Sequence, residues 1–320
     1  MGLPVQNICG AKPILSICCI INSHSGTAGR APRQLLVELF SKHGVTPEIL
    51  EPEDASSIPR LAKDAVQRGC DIIVAGGGDG TVNAVASAIV GDSTKKLGVL
   101  PIGTFNHFAR DLGIPVELED AIENIVAGNE RVIDVGEVNG RIFVNNSSLG
   151  LYPAIVRLRE SLQKSGFGKF PAAVWASLRI ISRFRRLHLE LHAEPEAPLH
   201  LTTAMLFVGN NAYEMSVNQL GTRSSVDGGK LWVMMPTATD LWALLMSLFV
   251  ILAGRETAKE VLTYGASDLI VACRRRLLNV AVDGEVLQLQ TPLNYRTRPN
   301  SLRVIVPATF VESHSKNSAR

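Results

Sequence analysis

Several things are scarce in this chain of 320 residues. Aromatic residues make up only 5%, so there is no platform on which nucleic-acid bases could stack. The net formal charge of +2 is too small a surplus to attract a polyanion, and no nucleic-acid partner is expected. The five cysteines, Cys9, Cys18, Cys19, Cys70 and Cys273, never fall at Cys-x-x-Cys spacing. Cys18 and Cys19 sit inside an apolar run and Cys70 precedes another, which predicts reduced core thiols of a cytosolic protein rather than disulfides or zinc. The opening residues, MGLPVQNICGAKP, lack a basic stretch ahead of an apolar one, and Gln6 stands where N-myristoylation wants Ser or Thr. Neither a signal peptide nor a myristoyl anchor is expected. One strongly apolar stretch, 241–253, falls short of the ~20 residues a membrane span requires. A buried helix is the plain expectation there, and a helix resting on a membrane face is the alternative. A Gly-Lys-Ser/Thr phosphate loop and a Gly-x-Gly-x-x-Gly dinucleotide fingerprint are both missing, which excludes a Walker-type NTPase and argues against an NAD-dependent oxidoreductase.

What is present centres on DIIVAGGGDGTVN, from Asp71 to Asn83. An apolar run stops at Gly76, Gly77 and Gly78, and an Ala/Val-rich segment follows to Val90, which predicts strand, tight loop, helix. Glycines admit a ligand close to the backbone, and the unpaired N–H groups opening the helix suit a phosphate. Asp79 would repel a bare phosphate unless a divalent cation or a hydroxyl lay between them, so amides plus one carboxylate point to phosphoryl transfer. A helix-capping acid is the plain alternative for Asp79.

Hydrophobic residues make up 46% of the chain, enough for a real core. Residues 14–22 form a nearly continuous apolar run ending in the polar loop Asn22-Ser23-His24-Ser25-Gly26, and 30–43 carry apolar residues at helical spacing. A strand near 47–50, a helix over 55–68 stopped by Gly69, the strand 71–75, a strand–loop–helix unit over 97–111, a helix at 117–127 and a strand at 132–135 complete the first part. Repeated strand–loop–helix units imply an open parallel sheet with ligands at the strand carboxyl ends. Beyond Asp134 the runs 141–145, 188–192, 201–209, 230–235, 260–264, 269–272, 277–283 and 286–290 are short, closely spaced and often alternating, as in an antiparallel sandwich. A basic amphipathic helix over 170–186, with Arg179, Arg183, Arg185 and Arg186, is either a solvated face or one that meets anionic lipid headgroups. Lys12, Arg30 and Arg33 lie near the first loop and read as solvated surface.

Three loops fall at predicted strand ends, and here the sequence resembles the diacylglycerol kinase catalytic domain family, which includes sphingosine kinases and bacterial soluble lipid kinases, with NAD kinases as distant relatives. Gly77-Gly78-Asp79-Gly80-Thr81 matches its GGDGT, and Leu100-Pro101-Ile102-Gly103-Thr104-Phe105-Asn106 matches LPxGTxN. Asn22-Ser23-His24-Ser25-Gly26 is similar to NPxSG with Ser23 in place of Pro. Val208-Gly209-Asn210, Asp227-Gly228-Gly229 and Asp283-Gly284-Glu285 resemble its later landmarks, so the likeness runs in order along the whole chain.

The resemblance implies an α/β protein of two parts: an open parallel nucleotide-binding domain over 12–135, to which 300–312 returns, and a β-sandwich lipid-substrate domain over 136–299, with the active site in the cleft and a disordered tail at 313–320. It implies transfer of the γ-phosphate of ATP, with Mg2+, to the hydroxyl of a membrane lipid, most simply diacylglycerol, by a cytoplasmic protein touching the membrane transiently. A sphingoid base, another glycerolipid or a non-lipid hydroxyl are alternative acceptors, and a catalytically silent nucleotide- or lipid-binding regulator is the alternative of another class. By position, Asn22, Gly77, Gly78, Asp79, Gly80, Thr81, Asn83, Gly103, Thr104 and Asn106 would hold nucleotide. Asp79 would position metal or the reacting hydroxyl, and Glu285 would be the general base. Asp283-Gly284-Glu285 also reads as a hairpin turn. The chain departs from the family at His107, where an Asp is common, leaving Asp111 or Asp134 as substitutes. It departs again at Gly228, which leaves Asp227 as the metal candidate of the second half.

Overall fold

The computed structural model describes residues 16–23, 32–154, 186–193, 197–212, 225–236 and 261–310. The helices expected at 241–253 and at 170–186, all but its last residue, lie outside these, as do Lys12, Arg30, residues 24–26 of the first loop and the tail 313–320.

Strand β1, Ile17–Ile21, is buried at every position, as is β3, Ile72–Gly76. A strand with no polar face needs cover on both sides, and helices supply it. Between them run α1, Arg33–Lys42, β2, Glu48–Leu50, and α2, Ile58–Gln67. After β3 come α3, Asp79–Ile89, β4, Lys96–Leu100, α4, His107–Asp111, and α5, Leu118–Ala127. The strands β2-β1-β3-β4 are parallel neighbours. Leu36, Leu39 and Phe40 of α1 and Ile122 and Ile125 of α5 pack on one face, against Cys19 and Val74. Ile58, Ala62 and Ala65 of α2 and Val82, Val85 and Ala86 of α3 pack on the other, against Cys18 and Ile73. Each large side chain buried this way contributes about 1.5–3 kcal/mol. Asp54 caps the 3-10 turn Ala55–Ser57 that leads into α2, its carboxylate accepting the Ser57 N–H at 3.0 Å, and Gly69, at φ +83°, turns the chain away beyond the end of α2.

The second half contains β5, Glu130–Val138, β6, Arg141–Phe143, β7, Asn146–Gly150, β8, Leu187–His192, β9, Leu199–Thr203, and β10, Met205–Asn210. They are followed by β11, Leu231–Pro236, β12, Val261–Ala266, β13, Asp268–Ala272, β14, Leu277–Val282, β15, Glu285–Gln290, and β16, Leu293–Ile305. An antiparallel sheet of order β12-β11-β10-β7-β14-β15 faces β13, β8 and β5, and the core between them holds Val138, Leu189, Val208, Val233, Leu269, Val280 and Tyr295.

Three features differ from the sequence expectation. The parallel sheet does not stop: the 13-residue β16 lies beside β4 through Val304 and Leu97, pairs with β5 on both sides of an irregularity between Arg298 and Leu302, and carries β13, β8 and β9 on its other half. The expected boundary at 135/136 and the return at 300 both fall inside these two strands, so continuous strands join the two halves. The run 201–209 is broken at Ala204, with β9 in one sheet and β10 in the other. Strand β7, NSSLG, shows no alternation the sequence could reveal, yet it is central in the six-stranded sheet, with Ser147 and Ser148 fully buried. The Ser147 hydroxyl meets the buried Tyr295 hydroxyl at 3.1 Å, so a polar residue is tolerated inside once its hydrogen bond is satisfied.

Candidate active site

At the carboxyl ends of β3 and β4 two loops lie back to back. Gly77 N–H donates to the Leu100 carbonyl at 3.2 Å. A Cβ on Gly103 would stand 2.3 Å from the Gly78 Cα, and one on Gly77 would stand 2.3 Å from Thr81 Oγ1, so only glycine permits this approach. Asn22, at the end of β1, joins them: its N–H donates to the Gly76 carbonyl at 2.8 Å and its amide to Thr81 Oγ1 at 3.2 Å. Asn106 adopts the left-handed conformation (φ +52°) and folds its own loop, its amide donating to the Pro101 and Gly103 carbonyls at 2.8 and 3.0 Å and its Oδ1 accepting the Gly103 N–H at 3.1 Å. Asn22, Gly77, Thr81 and Gly103 therefore form a buried underlayer, while Gly80 and Thr104 are exposed and Gly78 is half-buried above it.

Asp79 opens α3, but its carboxylate caps another helix. Oδ2 accepts the His107 N–H at 3.2 Å and Oδ1 accepts the Phe108 N–H at 3.0 Å, the two amides that open α4. Its charge thus sits at two helix N-termini. Asn145 donates to the same Oδ1 at 3.5 Å. The His107 ring points away and stacks on the exposed Phe105 at 5.7 Å between centroids.

Asn145 leads to the second half of the site. Asp283 sits in a two-residue hairpin turn with Gly284, at φ +46° and +86°, the conformation that matches the twist of flanking strands. Its carboxylate accepts three consecutive backbone N–H groups: Val144 at 2.7 Å, Asn145 at 2.9 Å and Asn146 at 2.9 Å. The Asn83 amide, one turn along α3 from Asp79, donates to Asp283 as well, and to the Ile142 carbonyl at 3.0 Å. Burial pushes the Asp283 carboxyl above the ordinary aspartate range, opposed by Asn83 and by the three backbone donors. Glu285 follows as the first, exposed residue of β15. The chain of contacts Asp79–Asn145–Asp283 therefore brings the glycine loop and the Glu285 hairpin into one neighbourhood. The sequence pointed to Asp79, Asn83 and Glu285 but not to Asn145 or to Asp283 as the knot between them. The sequence signals at Asp283 were the Asp-Gly turn and the Asp283-Gly284-Glu285 landmark, neither of which shows what the carboxylate holds.

The other acidic candidates lie in structural contacts. Asp134 is fully buried and accepts N–H groups of Gly229 at 2.7 Å and Asn300 at 2.9 Å and the Asn211 amide at 3.2 Å, fastening three separate segments. Asp227 pairs with Arg131 and accepts the Ser225 hydroxyl at 2.9 Å, so a guanidinium supplies its counter-charge and its donor set does not fit a metal. Among the described residues the one group of three potential ligands is Cys18, Glu48 and Cys70, away from both. Asp79 fits Mg2+ better: its Oδ2 accepts one hydrogen bond and keeps a lone pair at a half-exposed position, and Mg2+ commonly retains waters and takes one or two carboxylates beside phosphate. Arg33 donates to the Ile49 carbonyl at 2.9 Å.

Glycine loops at the ends of parallel strands, an acid between them and a second acid on an adjoining antiparallel sheet define a kinase-type phosphotransferase. The comparisons agree. Residues 16–138 match the diacylglycerol kinase catalytic domain. A Pseudomonas aeruginosa protein named "Probable lipid kinase YegS-like" is 31% identical over 254 residues, covering 78% of this chain and 81% of that one. A Bacillus subtilis diacylglycerol kinase is 28% identical over 234 residues, covering 72% and 76%. In fold, a diacylglycerol kinase from Bacillus anthracis matches with a TM-score of 0.67 at 16% identity, over 94% of this chain and 100% of that one. Yeast NADH kinase matches with 0.54 at 11% identity, over 96% and 89%. This chain belongs to the diacylglycerol kinase catalytic domain family of lipid kinases.

Proposed function

We propose that the protein transfers the γ-phosphate of ATP, with Mg2+, to the hydroxyl of a membrane lipid, most simply diacylglycerol. The observation that carries this reading is the pair of glycine loops packed backbone to backbone beneath the exposed Gly80 and Thr104, with Asp79 beside them and Glu285 held on the adjoining hairpin. The amides of Gly78, Gly80 and Thr104 would bind nucleotide phosphates, with Asn22, Thr81 and Asn106 holding the loops that present them. Mg2+ beside Asp79 would supply positive charge to the phosphates. Asp79 itself is fixed by the α4 amides, so it adds charge at a set position with little reorganisation. Glu285 accepts the acceptor hydroxyl's proton as that oxygen bonds to the γ-phosphorus and the bond to the bridging oxygen breaks, releasing ADP.

The lipid acceptor is supported by the family, whose relatives are named lipid kinases. Contact with the bilayer would be peripheral; among the described residues no helix is long and apolar enough to cross a membrane. The test is transfer of labelled γ-phosphate from MgATP to a total lipid extract, with Asp79→Asn in parallel. A labelled lipid that the variant fails to make supports the reading and names the acceptor. ATP binding without transfer to any lipid, sphingoid base or soluble hydroxyl would replace it with a silent regulator.

A further inference from the structure

Far from the candidate active site, at the opposite end of β14 from the Asp283 turn, the loop between β13 and β14 reads Arg274-Arg275-Arg276. All three arginines and the next residue, Leu277, are exposed, and among the described residues no ion pair engages any of the three. Three like charges in sequence repel one another, so the loop needs fastening. The Arg275 carbonyl accepts the Cys273 thiol at 3.3 Å and the Thr291 hydroxyl at 2.5 Å, and the Arg276 carbonyl accepts the Thr291 N–H at 3.1 Å. The backbone is tied inward and the guanidinium groups are left in solvent.

Arg274 also stands at the rim of a recess of about 730 Å³ on the outer face of β8, β9 and β13. Its charged and titratable groups are His188, Glu190, His200 and Arg274, with Cys273 beside them. His188 Nδ1 lies 2.8 Å from Thr202 Oγ1, and Glu190 is engaged by His192 at 3.0 Å. One carboxylate already facing an imidazole thus lies among three groups able to meet an anion. Two exposed apolar side chains stand close by in sequence: Leu277, 51% exposed, directly after Arg276, and Ile270, 42% exposed, on β13.

We propose that Arg274–Leu277 and the recess behind Arg274 form a contact surface for an anionic bilayer, with a phospholipid phosphodiester seated at the recess rim and Leu277 at the headgroup boundary. Arginine suits phosphate through its planar fork of donors, and exposed apolar residues beside basic ones favour a lipid interface over a nucleic acid, which offers no apolar layer. This rests on the lipid-kinase reading and adds to it a second attachment to the anionic bilayer, apart from the face that would receive the acceptor hydroxyl.

The experiment is sedimentation of the full-length protein with vesicles of phosphatidylcholine alone and of equal parts phosphatidylcholine and phosphatidylglycerol. Wild type should bind the anionic vesicles far better, and added salt should weaken this. The combined change Arg274→Ser, Arg275→Ser, Arg276→Ser should lower partitioning about a hundredfold, whereas the three arginines changed to Lys should keep it within severalfold. Equal binding by wild type and the Ser variant, or no binding by wild type, overturns the proposal. So does a duplex oligonucleotide bound as tightly as vesicles with the same dependence on the arginines. Phosphorylation of a short-chain, water-dispersed diacylglycerol should be unchanged in the Ser variant while that of vesicle-embedded diacylglycerol falls. If no acceptor is phosphorylated yet anionic vesicles are bound through these arginines, the kinase reading fails and the surface stands.

Discussion

The two acids at the centre of this protein, Asp79 and Asp283, are anchored in the same chemical way but by different routes. Asp79 takes two amides from the start of α4, less than thirty residues ahead in sequence. Asp283 takes three amides from the β6–β7 connection, some 140 residues behind it. The first belongs to a loop whose glycines, spacing and flanking strand are all local. The second exists only because the six-stranded sheet has assembled and laid its β14–β15 turn over the end of β7. One edge of the site is therefore built by the chain's immediate neighbourhood and the other by the whole fold.

That contrast breaks first at Glu285, which is exposed and holds no backbone. Glu285→Gln should lower turnover about 10²–10⁴-fold, the usual loss for a general base, while Tm stays put. A matching fall in Tm would mean a structural role instead. Asp283→Ala should do the reverse. It strands three backbone donors and the Asn83 amide at a half-buried site, at about 1–3 kcal/mol for each donor that water fails to reach. Denaturant unfolding should show a loss of several kcal/mol, with Asn83→Ala giving less. Unchanged stability in Asp283→Ala would show that the knot is decorative.

The glycine loops sharpen the comparison at two positions that look alike in sequence. Gly103→Ala places a methyl 2.3 Å from the Gly78 Cα, with only backbone able to yield, so a loss of about 1–3 kcal/mol and weaker ATP binding by calorimetry are expected. Gly80→Ala meets nothing within 4 Å and lies in the first turn of α3. It should gain up to about 1 kcal/mol of stability from helix propensity, and any loss of ATP affinity would then report phosphate crowding alone. If both substitutions destabilise equally, the two loops do not touch as described.

The parallel half was legible because its strands are apolar at nearly every position and its loops carry glycine where sterics demand it. β3, α3, α5 and the Gly69 stop fall where the sequence placed them, to within a residue or two, and β1 falls inside the apolar run 14–22, whose first two residues lie outside the described ones. The antiparallel half was legible only as a class. β7 carries Ser147 and Ser148 at buried positions, and the partner of Ser147, Tyr295, lies nearly 150 residues away in sequence. Ala204 gives no sign that the chain changes sheets there.

By itself, then, the sequence determined the alternation of strand, loop and helix up to Asp134, the two glycine turns and the acids that belong to them, because each depends on interactions within a few residues. The tertiary structure alone decided that β16 and β5 run through both halves, that Asp227 answers to Arg131, and that Asp283 clasps the β6–β7 connection, whose Asn145 also reaches Asp79. The strand pairing and the Asp283 clasp rest on backbone donors that carry no side-chain signature, and the Asp227 pair joins side chains 96 residues apart. Which carboxylate a free N–H will meet is settled only when distant segments have packed.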